Sequence, residues 1–139
     1  MNVERHIHHR PRRDAVRVVD ICNESSSANA MLRARVNAMQ HRGLDNRIIC
    51  NDGPYVERLR AAGIPVMTVP IPRGFDLIQC VISLVQMTWY LKREKIDLVH
   101  THFSVPGFIG RLAARIAGVP VVVHTVHGFP FHGQSSSLQ

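Results

Sequence analysis

Aromatic residues make up only 6% of the 139-residue chain. That is too few for the stacking platforms that hold single-stranded nucleic acid, and the arginines are dispersed rather than striped, so nucleic acid is set aside as a partner. Cysteine is scarce too. Cys22, Cys50 and Cys80 are odd in number, far apart and set in apolar runs, which argues against a disulfide framework or a CxxC metal site and fits a reducing cytoplasm. The loop Glu24-Ser-Ser-Ser-Ala-Asn29 contains no glycine. Neither a GxGxxG dinucleotide fingerprint nor a P-loop can be built there. The first fifteen residues lack the apolar core of a signal peptide and carry Arg5, Arg10, Arg12 and Arg13 among three histidines. They read as a disordered basic tail over 1–15.

A membrane span is also missing. The most apolar stretch, Phe75 to Lys95, places Gln79, Ser83, Gln86, Tyr90 and Arg93 on one stripe opposite Leu77, Val81, Leu84, Val85, Thr88 and Leu91. A span needs about twenty mostly apolar residues without such a stripe, so the expectation is a deeply packed amphipathic helix. Its wide apolar face and the surplus of arginine leave peripheral membrane contact open.

What is present is ordinary globular composition, 45% hydrophobic and 19% charged, with a formal charge of +7 that suits anionic partners. Val16 to Cys22 is a β-branched run suited to a central strand. Asn23 to Ser27 reads as a loop able to cap the helix Ala28 to His41, which stops at Gly43. Arg47 to Cys50 is a second strand, Tyr55 to Ala62 a short helix, and Ile64 to Val69 a third strand. Pro65 and Pro70, which cannot donate ladder hydrogen bonds, place that strand at an edge. The stretch from Ile96 to His132 reads as strand, small-residue helix and strand, each strand delivering histidines at its C-terminal end.

This alternation implies an α/β fold, a doubly wound parallel sheet of about five strands in the order 3-2-1-4-5. Ligands then bind where the C-terminal ends of strands one and four splay apart. Asn23 to Ser27, Thr101 to Gly107, and His127 with Gly128 fall at that crevice.

The histidines admit more than one reading. His100 and His102 face the same side of a strand and could join His124 or His127 around zinc. No Asp, Glu or Cys stands at a ligand spacing beside them, so the expectation is no metal. For His100 and His124 the favoured reading is a buried ring bonded to backbone, while His102 and His127 are expected nearer the open crevice. Pro106, Gly107 and Gly110 open a helix whose N–H groups suit an anion, and for Gly110 close packing on the sheet is favoured.

"DLVHTH", "PGFIGRLAARIAGVPVVVHTVHGFPFH" and the earlier "ERLRAAGIPVMTVPIPRG" together resemble the N-terminal domain of glycosyltransferase family 4, retaining enzymes of the GT-B fold, over Val16 to about Gln134. The resemblance implies a Rossmann-like, acceptor-side domain over 16–139, incomplete at its C-terminal end. Its implied reaction moves a sugar from a nucleotide-sugar donor to an envelope polysaccharide or lipid-linked acceptor, without a further cofactor. It implies a catalytic role for His127 beside the transferred sugar, and substrate contacts from Gly128, His102, Gly107, Ser25, Ser26 and Ser27. Relatives often have glycines where these serines stand.

The donor domain is expected elsewhere, in a longer or second chain, so this chain alone should have little or no transferase activity. Strand five should present an exposed edge. The location implied is cytoplasmic, peripheral at the inner membrane face. A non-catalytic anion- or lipid-binding module, a truncated remnant, is the competing reading, and a donor domain encoded in frame downstream would decide between them.

Overall fold

A computed structural model of the protein describes residues 15–74 and 76–127. The basic tail and Gly128 lie outside the described residues. Five strands form one parallel sheet in the order β3-β2-β1-β4-β5. They are β1 (Arg17–Ile21), β2 (Asp45–Cys50), β3 (Val66–Thr68), β4 (Leu98–His102) and β5 (Val121–Thr125). The expected order is the one observed, and the proline-flanked third strand does lie at an edge.

Between them run α1, which begins as the turn Ser25–Ser27, widens to a π-helical segment over Ala28–Leu32 and continues as Arg33–His41, then α2 (Val56–Ala61), α3 (Leu77–Arg93) and α4 (Ser104–Ala117). The serines therefore start the helix instead of forming a loop before it. Single π turns occur disproportionately beside functional sites. Gly43, at φ +85°, closes the turn after α1 in a conformation that L side chains rarely adopt.

Each face of the sheet has its own core. Val19, Ile21 and Val99 pack with Met87 and Leu91 of α3 and Ile109 and Ala113 of α4. On the other side Ile48 and Cys50 meet Leu32 and Val36 of α1 and Val56 and Leu59 of α2. Each such buried aliphatic contributes about 1.5–3 kcal/mol. Gly110 sets the closeness of α4 to the sheet, because a Cβ there would stand 2.8 Å from Thr101 Cγ2 and 3.0 Å from Ile21 Cδ1.

Helix α3 corrects the sequence reading. Its buried face is Ser83, Met87 and Leu91, with Cys80, Leu84 and Tyr90 partly covered. Leu77, Ile78, Val81, Ile82, Val85 and Trp89 are exposed, Leu77 and Ile78 by more than 70%. The helix carries more large apolar residues than one packed face can take: Cys80, Leu84, Met87 and Leu91 recur at helical spacing and fill the buried stripe, where Ser83 Oγ also donates to the Pro70 carbonyl at 2.6 Å. Among the described residues no helix is long and apolar enough to cross a membrane. Strand β5 pairs, among the described residues, only with β4, and Val121, Val122 and Val123 are 40–46% exposed, an open edge as expected.

Candidate functional site

The C-terminal ends of the strands gather two adjoining features, a polar cleft and a buried histidine cluster. The cleft, of about 640 Å³, opens beyond β1, β2 and β3 and is lined by Glu24, Ser25, Ser26, Asn51, Asp52 and Arg73 among others. Asn51 shapes it, donating from Nδ2 to Ile71 O at 2.6 Å and accepting at Oδ1 from Ile71 N at 2.8 Å. That clamp fixes the chain after β3 to the end of β2. Arg73 is exposed and meets Glu24 at 2.9 Å across the cleft, an ion pair that open solvent keeps weak.

The three serines divide. Ser25 is buried, its Oγ 3.4 Å from Tyr55 N, and it lies so close to Gly53 that a Cβ there would come within 2.4 Å of the hydroxyl. Ser26 is exposed and donates to Glu24 Oε2 at 3.2 Å. Ser27 is half-buried and is not among the cleft-lining residues.

The histidine cluster is built on an acid that sequence reasoning did not single out. Asp20, fully buried on β1, is in register with His100 of β4. Its Oδ1 accepts from the Arg35 guanidinium of α1, from His102 Nε2 at 3.0 Å, and lies 3.3 Å from His100 Nδ1. The expectation that no acid stands beside the histidines therefore fails. Spacing along one strand could not reveal it, because the acid arrives from the neighbouring strand. The available signal was the charge itself, set in the apolar run Val18-Val-Asp-Ile21. A buried carboxylate costs several kcal/mol unless it is paired.

His102 is buried, 3% exposed, and not at the open crevice as expected. Burial first, and then the positive charge of His100, Arg35, His127 and His124, pushes its pKa down to about 3. It is neutral at physiological pH. His100 is lowered as well, by burial and then by Arg35. His100 Nε2 lies 2.7 Å from Thr125 Oγ1, and His124 Nδ1 lies 2.9 Å from Thr101 Oγ1. Both rings are thus held by side chains, not by backbone. Asp20, His100 and His102 converge closely enough for a metal. Oδ1 of Asp20 is already taken by the Arg35 guanidinium, whose positive charge opposes a cation beside it, while Oδ2 is buried and without a hydrogen-bond partner among the described residues.

His127 is exposed, with Nε2 2.9 Å from His102 Nδ1 and its ring 4.9 Å from that of Phe103. Phe103 itself holds φ +63°, ψ 172°, a conformation nearly reserved for glycine that costs about 1–3 kcal/mol and tends to persist at functional sites. It makes the sharp bend between His102 and α4. Gly107 is buried beneath His124, where a Cβ would come within 2.5 Å of the ring, and its N–H donates to Phe103 O. That placement gives Gly107 a packing role.

Comparison with known proteins adds a family to this geometry. The family profile described as "Glycosyl transferase 4-like" matches residues 17–139. The UDP-Gal:alpha-D-GlcNAc-diphosphoundecaprenol alpha-1,3-galactosyltransferase of Escherichia coli is 47% identical over 92 residues, covering 63% of this chain and 23% of that protein. A D-inositol 3-phosphate glycosyltransferase from Acidothermus cellulolyticus is 28% identical over 119 residues, 76% of this chain and 26% of its own length. The chain spans about a quarter of the length of the curated relatives it matches. Among solved structures, a glycosyltransferase from Rickettsia africae superimposes with a TM-score of 0.68 at 16% identity, over 84% of this chain and 31% of that one. At that identity the likeness speaks for the fold alone.

Proposed function

The chain belongs to the glycosyl transferase 4-like family, and on that premise we propose that it is the acceptor-side domain of a retaining glycosyltransferase. Its reaction moves a sugar from a nucleotide-sugar donor to a lipid-linked sugar diphosphate at the inner face of the membrane. The observation that carries this reading is the polar cleft at the C-terminal strand ends, which places Arg73 and Asn51 beside the first exposed apolar turns of α3. A diphosphate suits the guanidinium, and a lipid tail suits the face formed by Leu77, Ile78, Val81 and Val85. The Escherichia coli relative is named for a diphosphoundecaprenol-linked acceptor of this kind.

Retaining transfer builds positive charge on the sugar ring and negative charge on the departing phosphate. It gains more from positioned hydrogen bonds and charge complementarity than from a strong protein nucleophile. His127 is assigned to the sugar, and Ser25 and Ser26 to the cleft wall. Gly128 and the donor contacts complete the reading, with the donor domain supplied by a longer or second chain. The bare 139-residue chain is expected to show little or no turnover.

Helix α3 adds the membrane. Six large apolar residues face outward, Lys92 and Arg93 occupy its last turn, and the Arg93 guanidinium lies 4.8 Å from the Trp89 ring centroid. An apolar face with Trp and flanking cations is what an interfacial helix presents to anionic lipid.

The test joins this chain to a family-typical donor domain and screens nucleotide sugars against a GlcNAc-diphosphate lipid analogue, with His127→Ala as control. Product of retained anomeric configuration, lost in the variant, is the expected result. Turnover untouched by His127→Ala, or inverted product, would overturn the assignment.

A further inference from the structure

His127 stands at the outer end of a hydrogen-bonded chain that begins on the central strand, and each link constrains the next. Asp20 Oδ1 can only accept, so His102 donates to it from Nε2 at 3.0 Å. His102 is neutral, and a neutral imidazole has one N–H. Its Nδ1 therefore bears a lone pair, and the 2.9 Å contact with His127 requires His127 to donate from Nε2. Asp20 is itself held by Arg35 and is fully buried, as is most of His102. Asp20 Oδ2 is buried without a partner among the described residues, so a turn of the carboxylate only exchanges its two acceptors, whereas a turn of the His102 ring away from Asp20 would strand a buried N–H at a cost of about 1–3 kcal/mol.

We propose that Asp20 and His102 are positioning residues that lock His127 in its Nε2–H tautomer and present Nδ1 outward to the sugar. Among the described residues Nδ1 of His127 has no partner. The consequence is chemical: in that tautomer Nδ1 carries a lone pair, so it accepts a hydrogen bond from a sugar hydroxyl instead of donating one. The Phe103 ring lies beside that of His127, tilted by 34° at 4.9 Å between centroids. The inference deepens the proposed role of His127 and rests on it for its catalytic meaning, while the hydrogen-bond chain can be tested without turnover.

The measurement is ¹⁵N NMR of the histidine-labelled 139-residue chain at neutral pH. Expected are an Nε2–H tautomer for both His102 and His127, and a scalar ¹⁵N–¹⁵N coupling from His127 Nε2 to His102 Nδ1 across the hydrogen bond. Absence of that coupling, or an Nδ1–H tautomer at His127, overturns the proposal with no variant needed. Asp20→Ala should scramble the His127 tautomer although Asp20 does not touch His127, and Asp20→Asn should restore it, because the amide oxygen still accepts from His102. A tautomer unchanged by Asp20→Ala in a folded chain overturns it as well.

In the chain joined to a donor domain, His102→Gln should lower kcat by about 10²-fold with donor KM unchanged, the scale of a misplaced reacting group. Against a His127→Ala background it should add little. If His127→Ala itself leaves turnover intact, the sugar-side role falls while the NMR result still decides the hydrogen-bond chain.

Discussion

Lowering the pH from 7 to 5 should destabilise the protein by about 2 kcal/mol through His102 alone. In the unfolded chain a histidine binds its proton near pH 6.5. In the folded chain His102 does not do so until about pH 3, because burial and the surrounding positive charge oppose it. Between those values the unfolded state holds more protons, so stability falls as pH falls. Integrating one proton from pH 7 to 5 gives about 2 kcal/mol, against a typical total of about 5–15 kcal/mol. The contribution is fully present above the unfolded value and is exhausted near pH 3. His100, also lowered, acts in the same direction. The pKa of Asp45 is lowered chiefly by its hydrogen bond from Arg47.

The groups facing His102 are Asp20 on β1, Arg35 on α1, His100 on β4 and the two histidines His124 and His127 at the β5 end. The assay is urea unfolding followed by circular dichroism at pH 5, 6 and 7. With a slope of about 1–3 kcal/mol per molar urea, the midpoint should move by about 1 M. His102→Gln keeps an N–H for Asp20 and cannot titrate, so its midpoint should move much less over the same range. A variant that loses as much stability as the parent between pH 7 and 5 would refute the assignment of the proton to His102.

Four further outcomes are expected. Gly110→Ala should cost about 1–3 kcal/mol by overpacking, since Thr101 and Ile21 are fully buried and cannot yield. Gly107→Ala should cost less, because the half-buried His124 ring can swing away at the expense of its bond to Thr101; thermal melts rank the two. Val81→Ser with Val85→Ser should lower co-sedimentation with anionic vesicles while changing stability by no more than about 0.5 kcal/mol per site, and undiminished binding would remove α3 from the membrane contact. Arg73→Ala should weaken titrated binding of a GlcNAc-diphosphate lipid analogue about tenfold, the loss of one charge-assisted hydrogen bond of about 1.5 kcal/mol.

Strand order was legible because its determinants are local. The β-branched run at Val16 to Cys22, the prolines flanking the third strand and the glycine after α1 each act within a few residues, and right-handed crossovers then allow few sheets. The orientation of α3 was not legible, since hydropathy alone assigns large apolar residues inward. The helix has two apolar stripes, and the one through Cys80, Leu84, Met87 and Leu91 is taken up by the core while Leu77, Ile78, Val81, Ile82 and Val85 are left exposed, a choice set by packing against other elements.

The histidine site divides in the same way. That His100 and His102 share a face follows from the period of a strand, and their ring centroids do lie 4.1 Å apart. What they share it with depends on register, which pairs Asp20 with His100 over eighty positions of sequence. Once that pairing is known, the chemistry of the cluster changes sign. Histidines read in isolation suggest a site waiting for a cation, whereas here they surround a carboxylate whose Oδ1 is already held by Arg35 and His102, with Oδ2 buried and unpartnered among the described residues. The cluster's exposed member is His127, the end of the network at which the proposed sugar contact falls.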